Sequence, residues 1–436
     1  MATETKELKY DASYIEHYSA KHGEPAWFTE LRRKALDHAS SLPLPKFEKT
    51  RIIGWNFTDF EQDVESKSIQ SLVDLPDSVR GLVGQDSEAG NLLVLNNGKM
   101  AYQTLTDDLK AKGVIFTDLE TALKEHGDLV KKYYFSDAAD IDENKLIALN
   151  GALVNSGLFL YVPKNVDVDI PLQTIFWQDN PNAGLINHVL IVADTGSSVT
   201  YVENYLSEAG EGDAVANLLV EVYVGDNAKV AFGGVDNLSE NVTTTIARRG
   251  YVGRDGRLEW ALGQMNDGNT ISETYTKLVG DGSITHTKAV SIGHGTQKQN
   301  FTNHIKHFGK GTESDMLIHA VQRDEANSIF NGVTKIEHGA SKSDGEQTQR
   351  VLMLSDGARG DANPILLIDE DDVVAGHAAS VGRIDPVQLY YLMSRGISRK
   401  EAERLVIHGF LAPVVTQLPV EGVKTQLREV IERKVK

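Results

Sequence analysis

Thirteen histidines and no cysteine bound the chemistry open to this 436-residue chain. Without a thiol it has no cysteine nucleophile, no disulfide scaffold and no zinc ribbon, and it cannot hold an iron–sulfur cluster on thiolates of its own. Imidazoles are then the best remaining transition-metal ligands. Five crowd between 286 and 319: His286, His294, His304, His307 and His319. His304 and His307 are an odd number of residues apart, so on one regular strand they point to opposite faces. The run therefore reads more simply as ladder and surface histidines than as one metal centre. Carboxylate pairs such as Asp167 with Asp169, or Asp324 with Glu325, have the residue types of a glycosidase. Acidic residues are abundant enough to produce such pairs by chance. The acidic run Asp369 to Asp372 reads as a solvated turn.

His377 has a different setting. It sits among small residues, from Val373 to Gly382, where a β-rich pattern gives way to helical punctuation. Little steric bulk shields its ring. The pattern alone allows either a buried histidine satisfied by backbone or an imidazole with a task. No G-x-x-x-x-G-K-[ST] loop, G-x-S-x-G elbow or H-E-x-x-H pair occurs, and Gly309-Lys-Gly-Thr312 has the wrong spacing for a phosphate loop. The chain is not expected to hydrolyse ATP.

Three zones must position these residues. Residues 1–145 read mainly as helix. Pro25 precedes Trp27, Phe28, Leu31, Ala35 and Leu36 at helical spacing, and the run Leu42 to Pro45 stops that helix. A second helix is expected over Asp118 to Tyr134, and a short strand at Leu92–Leu95 ends in a turn at Asn96-Asn97-Gly98. Residues 146–372 are short β-branched runs punctuated by Gly, Asn and Asp. Gly196, Gly225, Gly253, Gly280, Gly309 and Gly339 recur every 27 to 30 residues. A near-constant period in that range is the signature of a solenoid whose coils stack, so this zone reads as a parallel β-helix with one coil per period.

Residues 373–436 return to helix. Asp385 caps a helix with Pro386 at its first position, and Gly396 ends it. Ser398 and Glu401 open a second helix, with Gly409 as its stop and Pro413 barring continuation. Val423, Leu427, Val430 and Ile431 form the stripe of a third. These helices cannot bury their stripes alone and are expected to pack on the solenoid end, where they would hide its sheet edge, or on a partner.

The net charge of −18 argues against nucleic acid and anionic membranes as partners. The first thirty residues hold no apolar signal segment, and no run of about 18 apolar residues could span a bilayer. Both observations favour the cytoplasm.

The stretch Pro364 to Asp385, with Asp371-Asp372-Val373 and His377 at their spacing, resembles the junction of the SufB/SufD family of iron–sulfur cluster assembly proteins, on its SufD side. Leu389 to Ser398, Glu401-Ala402 and Gly409-Phe410 continue the likeness through the C-terminal helices. Gly151 to Lys164, Gly23 to Trp27 and Trp55 to Asp59 extend it towards the N-terminus. The resemblance implies a right-handed parallel β-helix flanked by helical regions, and a non-catalytic scaffold role in a SufB–SufC–SufD complex. In that complex SufB would meet the β-helix end and the ATPase SufC would dock on the C-terminal helices, with Leu389, Tyr390, Leu392, Met393, Arg395, Gly396, Ile397 and Glu401 as contacts. An isolated chain could also pair with itself.

The missing cysteine places the chain on the SufD side, because SufB is the paralogue that supplies thiolate. His377 falls on a histidine proposed to act at the SufB interface, and imidazole is a reasonable ligand to cluster iron. The resemblance implies no cofactor held stably by this chain alone. It implies a transient iron–sulfur cluster in the complex and leaves open a reduced flavin. Two departures stand out. The family's Gly-Ala-Thr after the histidine is Ala378-Ala379-Ser380, and its usual acidic residue upstream is Leu367. The other class of function that the β-helix suggests, a carbohydrate-active enzyme, would need a paired-acid groove along the solenoid side.

Overall fold

The computed structural model describes residues 8–83, 90–208, 210–417 and 421–435. Two long helices lead, α1 (Ala12–His22) and α2 (Ala26–Ser41), followed by the short α3 (Asp77–Arg80). Next come β1 (Leu92–Asn96), β2 (Lys99–Thr104), α4 (Asp107–Ala111), β3 (Ile115–Asp118), α5 (Leu119–Glu125), α6 (Gly127–Tyr133) and α7 (Lys145–Leu153). Sixteen strands then alternate between two sheets. They are β4 (Ser156–Val162), β5 (Leu172–Gln178), β6 (Leu185–Ala193), β7 (Ser198–Ser207), β8 (Ala214–Val224), β9 (Lys229–Asn237), β10 (Val242–Val252) and β11 (Arg257–Gln264). The second half comprises β12 (Thr270–Leu278), β13 (Ile284–Gly293), β14 (Lys298–His307), β15 (Glu313–Gln322), β16 (Asn327–Ile336), β17 (Asp344–Met353), β18 (Arg359–Ile368) and β19 (Val374–Arg383). The helices α8 (Pro386–Ser394), α9 (Arg399–Val415) and α10 (Glu421–Val435) close the chain.

Strands two apart in sequence are neighbours in space. One sheet runs β19-β17-β15-β13-β11-β9-β7-β5-β1-β2, the other β18-β16-β14-β12-β10-β8-β6-β4-β3. From β4 onward every pairing between coils is parallel, as Thr270 opposite Gln299 and Ile284 opposite Glu313 illustrate. This is a two-sheeted parallel β-helix of eight coils, with the expected period. The glycine turns recur because successive backbones touch there: a Cβ on Gly280 would fall 2.0 Å from the amide nitrogen of Arg254 in the preceding coil.

The lumen is apolar over most of its length. Leu172, Tyr201, Phe232 and Trp260 stack in one column, with Met316 further along it, and Val220, Ile305 and Phe330 line the opposite wall. Each fully buried side chain of this size contributes roughly 1.5–3 kcal/mol. Outside the nine-stranded sheet, α2 and α7 pack together and onto Ile186, Leu190 and Val215. Arg32 ties them: its guanidinium donates to the Ala152 and Val154 carbonyls at the end of α7 and pairs with Glu24 at 2.6 Å, all buried.

Several expectations needed revision. In the N-terminal zone the strand expected at Leu92–Leu95 forms as β1 and joins the ten-stranded sheet in parallel with β5, while β2 and β3, which were not expected, pair antiparallel with β1 and β4. The single helix over Asp118–Tyr134 is two, broken at His126, where the backbone turns to φ −131° and ψ 27°. Residues 374–383, expected within the helical zone, form the last strand. Their small side chains carry no periodicity of their own, and the ladder to β17 fixes them.

Of the C-terminal helices, α9 and α10 do not cover the end of the solenoid. They lie along its flank, where Ile407, Leu411, Val414, Val423, Leu427 and Ile431 pack on Val202, Val235, Ala261, Val290, Ile292 and Val321 of the ten-stranded sheet. Gly263 lets α10 come this close, since a Cβ there would sit 2.1 Å from Leu427 Cδ2. The same packing carries α9 through Gly409 and Pro413, which were expected to end it.

Candidate functional site

β18 and β19 are the last strands of the two sheets, so each has a neighbour on one side only. The end they form is apolar and open. Ile365, Leu367, Ile368, Val374 and Val381 are exposed, Val374 by 60%. A bare pair of sheet edges carrying large apolar side chains is a template for another chain.

Register places His377 at this mouth. It lies opposite Gln347 of β17, as Val381 lies opposite Val351. Gln347 and Val351 are buried on the lumenal side, and parallel partners share a face. His377 therefore stands on the lumenal face of the last coil, at the end of the column that begins with Tyr201, Phe232 and Trp260. No coil follows, and the residue is exposed. Neither the buried, backbone-satisfied histidine nor a helical junction is what forms here. Among the described residues the ring makes no hydrogen bond, so both nitrogens can take a ligand or proton. The Glu346 carboxylate, on the opposite face of β17, lies over Gly376.

The other histidines are dispersed. His304 stacks on Tyr275 outside the nine-stranded sheet, and burial pushes its pKa down to about 4. His307 faces the lumen between Thr312 and Ser314, also lowered to about 4 by burial. The two thus occupy opposite faces. His286 contacts Glu259 and Glu313, His294 contacts Asp267, and His319 Nδ1 bonds the Phe410 carbonyl at 2.7 Å. Among the described residues no group of three His, Asp or Glu is placed to hold a metal ion. Asp167 is tied to Ser198, and the acidic run is the β18–β19 turn, where Glu370 accepts the Gly339 amide. The chemistry of the mouth is one free imidazole in an apolar rim.

The second surface is the α8–α9 corner beside that mouth. Asp385 accepts the Val387 amide, Ser398 that of Glu401, and Gly396 takes φ 86°. Of the eight expected contact residues, Tyr390, Met393, Arg395 and Gly396 are exposed. Leu392 and Ile397 are half-buried, and Leu389 is buried beneath α8. Glu401 is held by a bidentate contact to Arg404, which depresses its pKa. Val387, Tyr391 and Leu405 are also exposed at this corner, since the side of a helix that is left over shows only once the helix has docked.

Sequence reasoning also missed a buried ionic cluster in the lumen. Arg248 Nη2 donates to Asp236 Oδ1 at 2.7 Å and lies 3.5 Å from Glu203 Oε1, all three essentially without exposure. Tyr205 donates to Glu203 Oε2. Burial raises the Glu203 pKa to about 8, more than the adjacent guanidinium lowers it. A signal existed: Arg248 and Arg249 are adjacent on a strand, so one must point inward. Arg249 points outward, to Glu143 at 2.5 Å.

Comparison with known proteins matches two family models: the SUF system FeS cluster assembly, SufBD core domain, over residues 176–410, and the SufBD protein N-terminal region over residues 6–174. A protein of Bacillus subtilis (strain 168) described as iron–sulfur cluster assembly protein SufD is 58% identical over 431 residues, covering 98% of this chain and 99% of its own. An iron–sulfur cluster assembly SufBD family protein of Staphylococcus haemolyticus is 28% identical over 91% of this chain and 87% of its own. One from Staphylococcus aureus (strain USA300) is 28% identical over 93% and 89%.

Proposed function

The chain belongs to the SufBD family of iron–sulfur cluster assembly proteins, with SufD as its likeness within it, and from that premise we propose that it is a non-catalytic scaffold subunit of a cytoplasmic SufB–SufC–SufD complex. The open solenoid end carries this reading: two unpaired edges in an apolar rim with one free imidazole at the mouth. The edges suit a second β-helix subunit, SufB, or a second copy of this chain when it is alone. The imidazole can give a nascent cluster one ligand, and a cysteine-free chain must leave the thiolates to its partner. The cluster is cargo rather than a resident group. A reduced flavin would belong to the assembled complex.

His377→Ala is expected to leave the complex with SufB and SufC intact and to lower cluster yield in reconstitution at least severalfold, read by visible absorption and circular dichroism. Full cluster yield from the variant removes the ligand role.

The α8–α9 corner is the proposed seat of SufC. Tyr390→Asp with Met393→Asp should abolish co-purification of the ATPase and leave the thermal unfolding curve unchanged, because both side chains already face solvent. Retention of SufC by this variant would move the docking site elsewhere.

A further inference from the structure

A net charge of −18 makes any concentration of cations on this chain conspicuous. One exists outside the nine-stranded sheet, far along the chain from His377. Lys49, Thr50, Arg51, Lys298 and Asn327 line a surface pocket of about 220 Å³. It is built by a turn that the N-terminal zone lays on the solenoid. Thr50 N–H closes the turn on the Phe47 carbonyl, and Ile52 is buried just beyond it. Lys49 holds φ 57°, a conformation lysine seldom adopts.

An asparagine ladder on the sheet receives this turn. Asn300 Nδ2 donates to the Glu48 carbonyl at 3.1 Å and to Thr50 Oγ1 at 2.8 Å. Asn331 donates to Asn300 Oδ1, Asn363 to Asn331 Oδ1, and Lys49 Nζ to Asn363 Oδ1 at 3.1 Å. Asp361 lies 3.5 Å from Lys49 Nζ and 3.0 Å from Arg359, so one carboxylate is shared by two cations. Arg51 and Lys298 make no ion pair or side-chain hydrogen bond among the described residues. The Thr50 hydroxyl, having accepted from Asn300, keeps its own proton to donate. Asn327 Oδ1 is buried at the same place with no partner, and a half-turn of that amide would present its N–H₂ instead.

We propose that this pocket binds the phosphate group of a small anionic ligand. Arg51 would supply the planar fork that suits phosphate, Lys49 and Lys298 the point charges, and Thr50 and Asn327 the neutral donors. A concave site of this volume, closed on one side by a buttressed turn, suits a small molecule better than a flat acidic protein surface. The site touches the mouth strand β18 only through Asn363 and Asp361, which hold Lys49, and uses neither His377 nor the exposed apolar rim, so failure here leaves the scaffold reading untouched.

Isothermal titration of the full chain in 0.15 M sodium chloride, with pyrophosphate and separately with ATP, tests the assignment. Saturable binding in the millimolar range or tighter is expected for at least one of them. Arg51→Glu with Lys298→Glu should weaken it at least tenfold, as should the uncharged pair Arg51→Met with Lys298→Met. Lys164→Glu, an exposed lysine elsewhere, should not. Equal affinities mean that phosphate alone is read; a tighter nucleotide means that the adjoining surface also holds the nucleoside. The proposal is overturned if neither anion saturates, if binding survives the double variants, or if a polyglutamate peptide binds while both phosphates do not.

Discussion

Arg248→Met should cost the protein about 3–5 kcal/mol of stability, because it leaves the buried Asp236 carboxyl without its cation inside the lumen. Asp236 is 1% exposed, and its short contact to Arg248 at 2.7 Å is its only ion pair among the described residues. Glu203 offers Asp236 no counter-charge, and Asp236 in turn adds to burial in raising the Glu203 pKa. With a pKa near 8 Glu203 is mostly protonated at neutral pH, while burial also raises the Asp236 pKa against the pull of Arg248. Replacing all three by Met, Gln and Asn should recover most of the loss, since no buried charge then remains. Denaturant melts of the single and triple variants check this; equal losses would mean that packing, not charge, is at stake.

The same cluster sets a pH dependence. Glu203 binds its proton more tightly in the folded chain than in the unfolded one. Between the ordinary carboxylate range and about pH 8 the native state therefore holds the extra proton, and its contribution to stability falls as pH rises. Glu203→Gln, which cannot ionise, should gain on the parent across that window.

Leu367→Lys with Val381→Lys should weaken the proposed pairing at the open end about a hundredfold or more. Both positions are exposed, at 44% and 42%, so the chain alone should fold as before. In an interface each ammonium would be buried without a partner, at roughly 2 kcal/mol or more apiece. A tenfold change is about 1.4 kcal/mol, so affinity for the neighbouring β-helix subunit should fall by about a hundredfold or more. Size-exclusion chromatography with SufB, and of the chain alone, reads the effect. Undiminished association would place the interface on another face.

How legible was this in the residues? The coil period was, because close backbone approach admits only glycine at positions such as 280. The helix stripes at Val423, Leu427, Val430 and Ile431 were also legible, but not where they would dock. Strands buried on both faces, such as Leu218 to Val224, show no alternation, so the sequence does not separate lumen from flank. For that reason the flanking position of α9 and α10 came only with the fold, and with it the openness of the end they were expected to cover. His377 was visible as an isolated imidazole among small residues. Its exposure was not, because that depends on the absence of a further coil rather than on any neighbour in sequence. The Lys49 turn was invisible for a related reason: its partners Asn300 and Asn363 lie some 250 and 314 residues away.

α10 lies across coils made long before it. Stacked coils touch only their neighbours, so such arrays can ravel from an end one coil at a time. Here Gln426 reaches back to Asn204, 222 residues earlier, and to the carbonyl of Leu82, 344 residues earlier. The first coils are thus sealed by a helix made after all of them. The protein should lose its structure in one concerted step rather than by peeling, and during synthesis its early coils must wait, half-covered, for the segment that completes them.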